Sequence, residues 1–182
     1  IGFPLASENV LECFIKDKRN PRTAGPRGGK IDYDVDGRLV GNWFREGTED
    51  YVAGRETYGS PVVTPYWAGH LAIAYDHVDP EQIRISIGTD FATDEECHYC
   101  IGAYGVRGNI PDPAEVSRET GLVKYELVGL ERVGSSRQRT RHVDGEILGI
   151  FLVQILEERT IKAEVVKGKT ANEVSGFSDS AS

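Results

Sequence analysis

A chain of 182 residues has room for one ordinary domain and little more. Its 21 Lys and Arg against 29 Asp and Glu give a net charge of −8, which excludes a phosphate-tracking surface and, with it, nucleic acid as a partner. Hydrophobic residues at 39%, with 9% aromatic, suffice for a core, and 21 Gly with 8 Pro imply many turns.

The first 29 residues read as an N-terminal arm: a short helix over Ser7–Lys16 with Ser7 as N-cap, then a Pro/Gly/Arg-rich linker from Arg19 to Gly29. From Lys30 the period becomes two. Ile31, Tyr33 and Val35 alternate with Asp32, Asp34 and Asp36, and Asp36-Gly37 supplies a turn that tolerates positive φ. Leu39, Gly41 and Trp43 then complete a hairpin. Residues 45–68 lack a period and read as a long loop with Pro61 and Pro65. A second hairpin pairs Leu71, Ile73 and Tyr75 with Ile83, Ile85 and Ile87 around a turn from Asp76 to Glu81.

Residues 89–120 hold Cys97 and Cys100 and a Pro-Asp-Pro-Ala-Glu-Val-Ser segment, from Pro111 to Ser117, suited to one helical turn. Val123, Tyr125 and Leu127 mark another strand, and the polar stretch Glu131–Asp144 reads as a loop. Ile147–Leu156 is a strand buried on both faces, Glu157-Glu158 turns the chain, and Thr160–Lys167 alternates again. Its apolar run is broken by Gly149 and Gln154 and falls short of the roughly 18 residues a membrane span needs. Residues 169–182 form a small, polar tail. The pattern predicts an all-β fold with minor helix over 30–168: an antiparallel β-barrel, with a β-sandwich as the alternative.

The run Leu39-Val40-Gly41-Asn42-Trp43-Phe44 resembles the Gly-x-Trp signature of lipocalins and avidin-like barrels, with Arg159 placed where those families carry a late Arg against the Trp. The resemblance implies a lipocalin-like barrel closed at one end by Trp43. Gly29 to Phe44, with Gly69-His70-Leu71-Ala72 and Tyr75-Asp76-His77-Val78-Asp79-Pro80, is also similar to an uncharacterised domain of secreted bacterial proteins. That similarity transfers no activity.

Asp32, Asp34 and Asp36 have the spacing of the first half of a calcium loop, but the twelfth position is Trp43 rather than Glu. The expectation is a solvated hairpin face, with a Ca²⁺ site as the alternative and no other cofactor. Cys97 and Cys100 are expected to form a disulfide, with plain thiols or a metal or redox pair as alternatives, and Cys13 is left over. A start at Ile1 without Met, best explained by a cleaved signal peptide, and the absence of methionine favour a secreted protein. His70, His77, His98 and His142 are scattered, and no motif sets a nucleophile beside a base. Catalysis is therefore not expected.

Trp43, Tyr33, Tyr75 and Tyr125 share the alternation of the aliphatic residues. They either line a cavity for a small apolar or sugar-like ligand or simply fill the core. Three functions follow, in this order: a secreted, non-catalytic barrel that recognises a ligand or cell-envelope partner; an extracellular self-assembling protein that oligomerises through its N-terminal arm and C-terminal tail; and a metal-dependent enzyme.

Overall fold

The structure, a computed structural model, describes residues 22–25, 34–47, 68–88, 102–132, 140–179 and 181. They form seven strands: β1 (Gly41–Phe44), β2 (His70–Tyr75), β3 (Ile83–Ile87), β4 (Gly102–Val106), β5 (Val123–Arg132), β6 (Thr140–Glu157) and β7 (Thr160–Lys167). Each pairs antiparallel with the next, so one sheet runs in the order β1 to β7. It is an all-β meander curled into a half-barrel. A single sheet replaces the sandwich alternative, and β1 and β7 are its two edges among the described residues.

The period of two sets the concave face. Cross-strand partners Leu71–Ile87 and Ile73–Ile85, then Tyr125–Phe151 and Val123–Val153, stack into one buried cluster that Leu39, Val106, Val116 and Ile155 complete. The curl needs local departures from a regular ladder. Register shifts interrupt β5–β6 between Leu127 and Leu130, and β6–β7 between Ile155 and Glu157, and such bulges bend a strand and raise its twist. Gly149 belongs to the same geometry: a Cβ there would lie 2.7 Å from the Val166 carbonyl oxygen, so only glycine allows β6 and β7 to approach this closely.

Several local expectations change. The Asp36-Gly37 turn is present, with Arg38 N–H donating to the Val35 carbonyl at 3.0 Å and Gly37 at φ 70. The first arm of the expected hairpin, residues 31–33, lies outside the described residues. Leu39 and Val40 donate to the Pro113 carbonyl at 3.2 and 3.1 Å, and β1 pairs with β2. The Glu131–Asp144 loop is shorter than expected, because β5 runs to Arg132 and β6 begins at Thr140, with Leu130 opposite His142. β4 had no clear alternation, since two of its five positions are Gly. The Ser7–Lys16 helix lies outside the described residues.

Residues 169–179 fold back over the convex face of β5 to β7. Lys124 Nζ donates to the Val174 carbonyl and, at 3.3 Å, to that of Ala171, whose own N–H donates to Glu126 at 2.9 Å. Ser178 donates twice to Glu164, from N–H at 2.8 Å and from Oγ at 2.6 Å, and Lys162 sits over the Phe177 ring. Ile150 and Leu152 share that face and are fully buried. The order of the tail is thus accounted for within the chain. Truncation after Gly168 is expected to cost about 2–4 kcal/mol, from exposed apolar surface and stranded polar groups. An unchanged midpoint in chemical denaturation would contradict the role of the tail.

Candidate functional site

The functional geometry gathers between β1 and β7, the two edges of the half-barrel among the described residues. Trp43 lies near the end of β1 and Arg159 in the turn that starts β7, and both line two adjoining cavities. The larger holds about 590 Å³, between Trp43–Gly47 and Leu71 on one side and Arg159, Thr160, Ile161 and Ala163 on the other. The smaller, of about 410 Å³, runs from Asp34–Arg38 past Trp43 to Glu158 and Arg159. Volumes of this order suit a small ligand or a short segment of chain.

Trp43 is held rather than loose. Its indole N–H donates to the Leu39 carbonyl at 3.0 Å, which lays the ring along the strand against the edge of the core. Gly41 lets the chain double back here: at φ 148 its missing Cβ leaves space for Asp34, whose Oδ1 would sit 2.9 Å from that atom. On the opposite face of β1, Asn42 meets the His70 ring at 3.0 Å, and Phe44 stacks on His70 with centroids 5.0 Å apart. Burial pushes the His70 pKa below its ordinary value, so the ring is neutral at pH 7. Arg159 stands mostly exposed, 3.9 Å from the exposed Asp36, a weak pair that a ligand could displace.

A loop between β4 and β5 covers the concave face. The expected helical turn is there: Glu115 and Val116 donate to the Asp112 carbonyl at 2.9 and 3.2 Å, and Asp112 Oδ1 accepts from Ala114 N–H at 2.9 Å. Tyr75 donates its hydroxyl to Asp112, and Tyr125 donates to the Pro111 carbonyl at 2.9 Å. Burial first, then the Asp112 charge, pushes both phenols well above their ordinary value, so they stay protonated donors. Arg38 ties the loop to the chain entering β1 through the Glu115 carbonyl at 3.0 Å.

Of the aromatic set, then, Trp43 lines the cleft, while Tyr75 and Tyr125 share its concave face but reach the covering loop instead. Tyr33 lies outside the described residues. Asp34 and Asp36 part company: Asp34 Oδ1 lies 3.4 Å from the Asn42 amide, and Asp36 faces Arg159. Asp32, Cys97, Cys100 and Cys13 lie outside the described residues. Among the described residues, no three His, Cys, Asp or Glu side chains gather to hold a metal. Periodicity placed Leu71, Ile161 and Ala163 on the inner face. It gave no signal that β7 would stand across a gap from β1, because alternation does not encode which edges face each other. No family model matches the chain, and neither does any curated protein or solved structure.

Proposed function

We propose that the protein is a non-catalytic recognition module that takes its ligand in the cleft between β1 and β7. The observation that carries this reading is the 590 Å³ cavity at the open side of the half-barrel, walled by Trp43, Leu71, Ile161 and Ala163 and rimmed by Arg45, Glu46 and Arg159. An apolar wall with a few charged groups at the mouth is the usual make-up of a ligand site. The same lining offers an apolar surface and charge, which supports a binding role. We place the module outside the cell, on the strength of the Cys97 and Cys100 spacing and the absence of methionine. Self-assembly through the termini has less support, since residues 22–25 and the C-terminal tail both bond within the chain: Thr23 N–H donates to the Val78 carbonyl at 2.8 Å, and Ser178 to Glu164.

A titration with 1-anilinonaphthalene-8-sulfonate, whose apolar rings and sulfonate match the wall and Arg159, tests the reading. Saturable binding to the native protein is expected, weakened about tenfold by Trp43→Ala, with the lost aromatic contact accounting for roughly 1.4 kcal/mol. Trp43 is only partly buried, so this variant remains folded by circular dichroism. Equal affinity in the variant and the parent would remove the cleft as the site.

A further inference from the structure

The hydrogen-bond phase of β7 shows which of its backbone groups point into the cleft. Gly168 N–H donates to the Leu148 carbonyl at 2.9 Å, and Val166 lies opposite Ile150 in the same ladder. In an antiparallel pair the bonded positions alternate, so Lys162, Glu164 and Val166 bond to β6, while the N–H and C=O groups of Ile161, Ala163 and Val165 point the other way. No backbone partner meets those three residues among the described residues. Ile161 and Ala163 are also walls of the larger cavity, so this edge opens into the cleft.

Protein edges of this kind are usually blunted by charge or covered. Of the three charges on β7, Lys162 lies over the Phe177 ring and Glu164 accepts from Ser178, so both are drawn over the convex face towards the tail, and Lys167 stands exposed at the end of the strand, beyond Ile161, Ala163 and Val165.

We infer that the cleft takes an extended peptide, which adds to β7 as an eighth strand by bonding to the backbone of Ile161, Ala163 and Val165. The inference rests on the cleft being the binding site, and it names the ligand class. A strand added to β7 lies about 4.8 Å beyond it, on the side where the cavity opens. Trp43–Gly47 bound that space on its far side, and a cavity of about 590 Å³ is of the size a short extended segment fills. Alternate side chains of the added strand face the apolar wall of Trp43, Leu71, Ile161 and Ala163. The partner therefore carries apolar residues at every second position.

The probe is a fluorescein-labelled peptide of alternating valine and threonine with a glutamate at each end, compared with the same peptide N-methylated along one edge. The unmodified peptide is expected to bind in fluorescence anisotropy and the N-methylated one about tenfold more weakly, because it cannot complete the ladder. Amide exchange at Ile161, Ala163 and Val165 should slow about tenfold on binding, while Lys162, Glu164 and Val166, already bonded to β6, stay unchanged. Val165→Pro removes an edge N–H without touching the β6 ladder, at a position outside the cavity wall, and is expected to weaken the peptide about tenfold yet keep the anilinonaphthalene probe. The N-methyl comparison uses the parent protein and so does not depend on that variant folding. Equal binding of the two peptides, no binding of either, or unchanged exchange at Ile161 and Ala163 would overturn the strand proposal. In each of those cases, Trp43-dependent uptake of the small probe leaves the cleft reading standing, and its loss removes both.

Discussion

Tyr125→Ala is expected to lower stability by about 4 kcal/mol, and the melting midpoint by roughly 10 °C, whereas Tyr125→Phe should cost only about 1 kcal/mol. The difference separates two contributions. Tyr125 is fully buried opposite Phe151, so alanine leaves a cavity at the centre of the concave face. Phenylalanine keeps that packing and gives up only the hydroxyl bond to the Pro111 carbonyl. If Tyr125 instead belonged to a ligand site, both substitutions would leave the denaturation midpoint near that of the parent and reduce binding.

The same phenol sets an alkaline limit. Burial raises the Tyr75, Tyr104 and Tyr125 pKa values above the ordinary 10.0. For a group held in its neutral form by folding, the stabilisation is complete below the unfolded-state value and is lost as pH rises through the folded one. Melting curves recorded from about pH 9 upward should therefore fall from near pH 10, with a shallower fall in Tyr125→Phe.

How much of this was legible in the sequence depended on whether a residue's role is local. Ile83, Ile85 and Ile87 and their partners Leu71 and Ile73 declare an inner face by alternation alone, and the structure pairs them as one hairpin. Tyr125 carried the same signal, yet its partner Pro111 comes from a loop whose path over the concave face no periodicity describes. Gly41 and Trp43 stood out as a pair, but the physical reason for the glycine, the return of Asp34 onto the strand, is a tertiary contact. The tail illustrates the opposite limit. Its composition is that of a mobile end, and it is ordered because Lys124, Glu126 and Glu164 on the sheet each bond to it. A meander of seven strands also leaves its closure unspecified: whether β1 and β7 meet depends on the accumulated twist and on bulges such as those flanking Val128.

The second large effect is expected at Asp76, which a reading of Asp76-His77 and Asp79 alone leaves as a mere cluster of polar residues. In the structure it organises the turn from β2 to β3. Its Oδ1 accepts from the Val78 and Asp79 N–H groups, each at 2.8 Å, and Oδ2 accepts from Arg84 Nε at 2.8 Å with both side chains largely buried. That turn in turn receives the described part of the N-terminal arm, through Thr23 on the Val78 carbonyl and Arg22 Nη1 on the His77 carbonyl at 2.6 Å. Asp76→Ala removes the acceptor for two backbone donors and leaves the buried Arg84 without its carboxylate, a change that costs about 3–5 kcal/mol. Asp76→Asn keeps an oxygen for Val78 and Asp79 and should lose roughly half as much.

The pH dependence identifies the charge as the cause. Burial opposes the ionised carboxylate, but the two N–H donors and the Arg84 guanidinium outweigh it and hold the Asp76 pKa below its ordinary 3.8. The stabilisation is therefore complete above that value and disappears as pH falls through the lower folded one. Unfolding free energies of parent and Asp76→Asn should differ most near neutral pH and converge as pH falls below 3.8 and the parent's carboxylate takes up its proton. A gap of constant size across that range would assign the loss to altered packing of the turn and not to the buried ion pair.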